Sequence, residues 1–258
     1  MLHRNSFNIK TISVVVAFLL HAVSTFSQTL KSPFLWKPEL AVPTVMVSFS
    51  ALGGAYEFSK RHPAIPTQES ILRLKPTDVN PFDRSAIYQH SQIAAFVSDV
   101  TLYTTPLLPL ILLENQQARK DFGKIITMDA EVFLLNTAVT NLFKEAVHRP
   151  RPLAYNSQSP VWARRSAENF RSFFSGHTST VASQAFFFAY VWQQYHPNNK
   201  FTPLVWTLTA GMPIVTGVMR YKAGKHFWTD IITGYAVGAL IGVGVPWLHT
   251  TSLWQPRR

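Results

Sequence analysis

The sequence predicts an all-α fold, a membrane-embedded bundle of about five to six long helices. Three observations carry this expectation. Apolar segments of helix length recur at roughly 95–113, 126–146, 178–195, 202–220 and 229–248, each long enough to cross a bilayer or form a core. A further apolar stretch covers 41–58, with Pro43 near its start and Gly53 and Gly54 inside it. Hydrophobic residues make up 47% of the 258-residue chain and aromatic residues 13%, a high share for a soluble protein.

Lys and Arg number 24 against 13 Asp and Glu, a formal net charge of +11 at pH 7. Such an excess suits nucleic acid, anionic lipid or a phosphorylated substrate. Nothing in the chain resembles a zinc finger, a basic zipper or an aromatic RNA-binding strand, which sets nucleic acid aside. With no cysteine in the sequence, disulfides, thiolate metal sites, iron–sulfur clusters and cysteine nucleophiles are excluded, as is a lipid-anchored export signal.

Taken in order, residues 1–27 read as a signal peptide. Arg4 and Lys10 supply a positive start, the run from Thr11 to about Ser24 is apolar, and Thr25 and Ser27 are small residues at the positions a signal peptidase inspects. Cleavage makes Gln28 the new N-terminus; an uncleaved anchor is the alternative. Residues 28–94 form an N-terminal helix and polar loop region. Its apolar stretch 41–58 ends in Lys60-Arg61-His62, and residues 63–93 carry four prolines and several charges, predicting an extended loop with short helices. Residues 95–248 make up the helical core and 249–258 a tail. Asp99, Asp129, Glu131 and Gln184 interrupt the core's apolar segments, and Pro106, Pro109, Pro203 and Pro213 predict bends in them.

Charge placement orients the bundle. With residue 28 outside the cytoplasm, five crossings leave the turn 116–124, bearing Arg119, Lys120 and Lys124, and the terminal Arg257 and Arg258 on the cytoplasmic side. The loops 147–177 and 221–228 then lie outside. A sixth crossing at 41–58 inverts this arrangement, so that stretch reads as a re-entrant, interfacial or packed helix.

Three clusters carry chemistry, each at a helix end facing the same side. The first is Lys144-Glu145-Ala146-Val147-His148-Arg149-Pro150-Arg151-Pro152. At helical spacing Lys144 and Arg151 share a face, and the prolines break the helix so that the arginines turn back toward its end. Paired cations there suit a phosphoryl group, although a basic cluster meeting lipid headgroups has the same pattern. The second is Phe174-Ser175-Gly176-His177-Thr178-Ser179, directly before an apolar helix. Free amides at a helix start bind anions, Gly176 permits close approach, Ser175 can donate a hydroxyl and His177 can move a proton. An ordinary Ser or Thr helix cap is the competing interpretation. The third is Arg220-Tyr221-Lys222-Ala223-Gly224-Lys225-His226-Phe227-Trp228-Thr229-Asp230. On a helix, Asp230 sits one turn from His226 and can fix its tautomer, freeing the other ring nitrogen as a nucleophile. A helix-start hydrogen bond or an incomplete metal site fits the pair as well. Gly234, Gly238 and Gly242 continue the four-residue row as a small-residue packing face.

The order and spacing of Lys144-x6-Arg151-Pro152, Ser175-Gly176-His177 and Arg220-x5-His226-x3-Asp230 resemble the type 2 phosphatidic acid phosphatase superfamily. That superfamily also contains bacterial class A acid phosphatases and vanadium haloperoxidases. The resemblance covers roughly 95–248 and implies their helical fold. It implies a metal-independent phosphatase without cofactor, hydrolysing a lipid phosphate monoester or polyprenyl pyrophosphate through a phosphohistidine. His226 is then the nucleophile, Asp230 its orienting partner, and His177 the acid that protonates the leaving oxygen and later activates water. Lys144, Arg151 and Arg220, with Ser175 and the Gly176 amide, form the phosphate cradle. The implied setting is the inner membrane of a bacterial envelope, with the site facing the periplasm. Two departures stand out: Phe174 replaces the family's usual proline and Met219 its usual serine, which predicts altered loop shape or substrate fit with the chemistry retained. His148 and Arg149 are expected to touch a second phosphate or headgroup.

Three alternatives differ in chemistry or class. One is a secreted soluble acid phosphatase, and another a vanadate-dependent haloperoxidase using the same pocket. The third is a non-catalytic membrane protein that binds anionic lipid through Arg164, Arg165 and Arg171.

Overall fold

The computed structural model describes residues 38–61 and 66–250. The expected signal peptide and the end of the tail lie outside the described residues. Those described are helical with irregular connections, and no strand occurs among them.

Helix α1 (Pro38–Ser59) is a packed helix. Its Gly54 lies against Leu142, while Val42, Met46, Phe49 and Tyr56 face outward. The polar region that follows holds α2 (Gln68–Arg73) and two short 3-10 turns (Pro76–Asp78 and Arg84–Tyr88), as the proline-rich sequence predicts. Helix α3 (Gln92–Thr104) starts at Ser91, whose hydroxyl accepts the Ala94 amide. It tightens into a 3-10 helix over Thr105–Glu114, because Pro106 and Pro109 lack the amides an α-helix needs. Asn115 then caps α4 (Gln116–Val147) by accepting the amides of Gln117 and Ala118. Helix α4 stops at His148, which adopts the left-handed conformation at φ 46° and ψ 42°, two residues before Pro150. Short helices α5 (Pro152–Tyr155) and α6 (Val161–Arg164) and a 3-10 turn (Ala167–Phe170) lead to α7 (Gly176–Tyr195), α8 (Thr202–Lys222) and α9 (Trp228–Thr250).

Helix α7 is the axis of the bundle. Every residue from Thr178 to Val191 is buried, enclosed by α3, α4, α8, α9 and the 3-10 segment. Helices α7 and α9 touch almost backbone to backbone. A Cβ built on Gly234, Gly238 or Gly242 falls 2.6, 2.2 or 2.2 Å from the carbonyl oxygens of Ser175, Ser179 and Ser183. The glycine row is therefore a close-packing face. On the other side of α7, Ile125, Met128 and Val132 of α4 meet Phe187, Phe188 and Val191.

Three helical stretches, Gln92–Glu114, Thr202–Lys222 and Trp228–Thr250, are long and apolar enough to cross a membrane. The segments at 126–146 and 178–195 fall short by composition. Of the polar groups that interrupt them, Glu131 meets His249 of α9 at 3.0 Å, while Gln184 is enclosed in the bundle with both amide atoms unpaired among the described residues. Outward faces carry the apolar surface, as at Ile93, Phe96 and Tyr103 of α3, Leu208 and Val215 of α8, and Leu240 of α9.

Candidate active site

The antiparallel course of the bundle gathers the C-termini of α4 and α8 with the N-termini of α7 and α9 at one end. All three chemical clusters therefore meet there. Lys144, Gly176 and His177 line one cavity of about 180 Å³, together with Leu102, Thr137, Thr140, Asn141 and Thr180. A Cβ on Gly176 would lie 3.3 Å from Lys144 Nζ, so glycine here preserves the space in front of the ammonium.

His226 lies in the turn before α9 and is 1% exposed. Its Nδ1 faces Asp230 Oδ2 at 3.6 Å, longer than a hydrogen bond, and has no hydrogen-bond partner. Burial pushes the imidazole well below its usual pKa, and the charges of Arg151, Arg220, Lys144 and His177 act in the same direction. The ring is thus neutral at pH 7, with its nitrogen lone pair held among cations. The sequence placed His226 and Asp230 on one helix. Instead α9 begins at Trp228, so Asp230 sits in the first turn and His226 precedes it.

Asp230 is fully buried and held from three directions. Its Oδ2 accepts the Ser172 hydroxyl at 2.6 Å and the Phe227 amide at 3.0 Å, and its Oδ1 accepts Arg149 Nη1 at 2.6 Å. Arg149 corrects an expectation: it turns inward from the headgroup position assigned to it. Its second nitrogen reaches Asp83 Oδ2 at 2.8 Å, and its guanidinium lies over the Phe227 ring at 4.2 Å. Asp83 also accepts the amide and hydroxyl of Thr229 at 3.0 and 2.6 Å. Burial alone would raise its pKa. Hydrogen bonds from Thr229, Arg149 and Asn80 more than offset this and hold the carboxyl below its usual range. The polar segment thus builds the floor beneath Asp230. His148, the other expected headgroup contact, packs its ring against Phe170.

Arg151 does not continue the α4 face from Lys144, because the helix ends at Val147 and Arg151 starts α5. The proline break returns it to the site, buried, with Nη2 3.3 Å from Glu168 Oε2. Ser175, fully buried beside Gly176, caps α7: its hydroxyl accepts the Thr178 amide at 3.4 Å and pairs with the Thr178 hydroxyl at 2.9 Å. Arg220, buried at the end of α8, donates to Ser98 Oγ at 3.3 Å. His177 Nε2 bonds Asp99 Oδ1 at 2.8 Å.

The loop arginines assigned to lipid are committed elsewhere. Arg164 is buried and donates to the carbonyls of Ala154 and Ile71 at 2.8 and 3.0 Å. Arg165 donates to Pro66 O at 2.9 Å. Arg171 pairs with Glu145 at 2.7 Å and Glu168 at 3.1 Å. Sequence reasoning missed Asp83, Ser172 and the Asp99–His177 contact; Asp99, a lone acid in an apolar segment, was the one visible signal.

Residues 130–254 match the model of the PAP2 superfamily. A stretch of 84 residues, 32% of the chain, is 37% identical to the lipid A 4'-phosphatase of Porphyromonas gingivalis. The match covers 32% of that protein, so the chain spans about a third of the length of this curated relative. The crystal structure of a transmembrane PAP2-type phosphatidylglycerolphosphate phosphatase from Bacillus subtilis aligns with a TM-score of 0.49 at 20% identity, covering 80% of this chain and 94% of that one.

Proposed function

We propose that this chain, whose residues 130–254 match the PAP2 superfamily model, is a membrane-embedded phosphatase acting on a lipid phosphate or polyprenyl pyrophosphate through a phosphohistidine at His226. One observation carries the reading: a buried imidazole faces a fixed carboxylate with one nitrogen and lies in the field of Arg151, Arg220 and Lys144.

In this reaction Nε2 of His226 attacks phosphorus while Nδ1 faces Asp230, which stabilises the positive charge the ring acquires. Lys144, Arg151 and Arg220, with Ser175 and the Gly176 amide, hold the non-bridging oxygens as charge spreads over them. His177 protonates the departing oxygen, then takes a proton from the water that attacks the phosphohistidine. That second attack breaks the N–P bond and releases inorganic phosphate with His226 restored. The relative named a lipid A 4'-phosphatase puts a phosphorylated glycolipid among the candidate substrates. The site end faces outward from the cytoplasm, a placement supported by Arg119, Lys120 and Lys124 near the opposite end of α4.

The test is phosphate release by the purified chain in mild detergent with a chelator present, from a panel of lipid phosphates and pyrophosphates. Turnover is expected in the wild type, with an acid-labile phosphoprotein trapped on rapid quenching, and neither is expected for His226→Ala. Unchanged turnover by His226→Ala would sink the mechanism.

A further inference from the structure

The two carboxylates nearest the catalytic histidines are built differently. Asp230 is fully buried and fixed by Ser172, the Phe227 amide and Arg149. Asp99, on α3, is 48% exposed at its side chain. Its contacts among the described residues are His177 Nε2 at 2.8 Å and Arg220 Nη1 at 3.6 Å, both through Oδ1. Neither partner is scaffold. Both are groups to which the proposed reaction assigns the substrate, and one acidic oxygen lies against a phosphate-binding arginine and a proton donor together.

We propose that Asp99 is a displaceable counter-ion of the ligand-free cradle, its carboxylate oxygen standing where a phosphate oxygen binds. This rests on the phosphatase reading of the site. Arg220 is almost wholly buried, and leaving a buried guanidinium without an anion is costly. A neighbouring carboxylate relieves that cost when no phosphate is bound. A phosphate brings two or more negative charges to the same place and repels Asp99. With half its surface already in contact with the exterior and no anchoring donor of its own, the Asp99 side chain leaves by rotating away from the site. Its departure frees His177 Nε2, the nitrogen needed by the leaving oxygen. Asp99 is therefore a positioning residue that acts through His177 and Arg220. Substrate binding includes the cost of displacing it. Leu102, one turn further along α3, lines the cavity beside His177, so the same helix supplies both the counter-ion and part of the wall.

The experiment is equilibrium dialysis of radiolabelled inorganic phosphate against the purified full chain in mild detergent, which reads the cradle without requiring turnover. Asp99→Asn keeps the size of the side chain and removes its charge, and Asp99→Ala removes the contact altogether. Both are expected to bind phosphate about tenfold more tightly than the wild type. KM for a hydrolysed phosphoester is expected to fall with them while kcat changes by less than about tenfold. A permanent partner orienting His177 gives the opposite split, with kcat falling about a hundredfold and phosphate affinity unchanged or weaker; that result overturns the inference. Absence of phosphate binding by the wild type overturns the cradle itself. Binding and hydrolysis by the wild type with no tightening in either variant overturns the counter-ion role alone.

Discussion

Arg149 and Asp230 form an inward-facing ion pair, with Nη1 2.6 Å from Oδ1. The partners come from the break after α4 and the first turn of α9, so this contact joins two of the three chemical clusters beneath His226. Asp83 extends it to the polar segment through the second guanidinium nitrogen.

Removing one member of a buried pair leaves the other charge uncompensated. Arg149→Ala is expected to lower stability by about 3 kcal/mol and, by letting Asp230 shift under His226, to reduce kcat about a hundredfold. Thermal unfolding in detergent and steady-state phosphate release check the two parts. A variant with wild-type stability and turnover would show that the pair holds nothing in place.

The burial of His226 among cations predicts the acid side of the activity profile. In the proposed mechanism its neutral form is the nucleophile, and protonation removes the lone pair. Because burial and nearby cations push its pKa well below 6.5, activity should persist as pH falls through the ordinary histidine range and drop only well beneath it. A kcat/KM profile on one substrate checks this. An acid limb centred at about 6.5 would mean the ring is open to water during binding.

The contact between α7 and α9 predicts unequal tolerance along one helix. Gly238→Ala puts a Cβ 2.2 Å from Ser179 O and is expected to destabilise by about 1–3 kcal/mol. Gly244→Ala, with nothing within 4 Å, is expected to be neutral or stabilising by up to about 1 kcal/mol. Melting temperatures of the two variants, compared directly, decide the matter.

Arg164 separates a structural role from lipid binding. Arg164→Ala loses two hydrogen bonds to buried carbonyls and is expected to cost about 2 kcal/mol of stability. Retention by anionic vesicles should match the wild type. Weakened retention at unchanged stability would restore the headgroup role.

The all-helical class, the order of the helices and the candidate residues of the three clusters were legible in the chain alone. Each is a local pattern: an apolar run, a Pro or Gly at a helix boundary, or His226 four residues from Asp230. The short 3-10 stretch at Thr105–Glu114 was foreshadowed by two prolines for the same reason. Tertiary structure alone decided which faces meet. Asp99 finds His177 across 78 residues, Asp83 finds Arg149 across 66, and Ser172 finds Asp230 across 58. No local spacing encodes those pairings, because each depends on how α3, the polar segment and the loop before α7 dock on the bundle. Docking also turned Arg149 inward from the expected headgroup contact and bonded Arg164, Arg165 and Arg171, the arginines of the lipid-binding alternative, to the protein itself. A charged side chain looks the same in sequence whether it meets solvent, lipid or a buried carboxylate, and only the packing around it determines which of these it contacts.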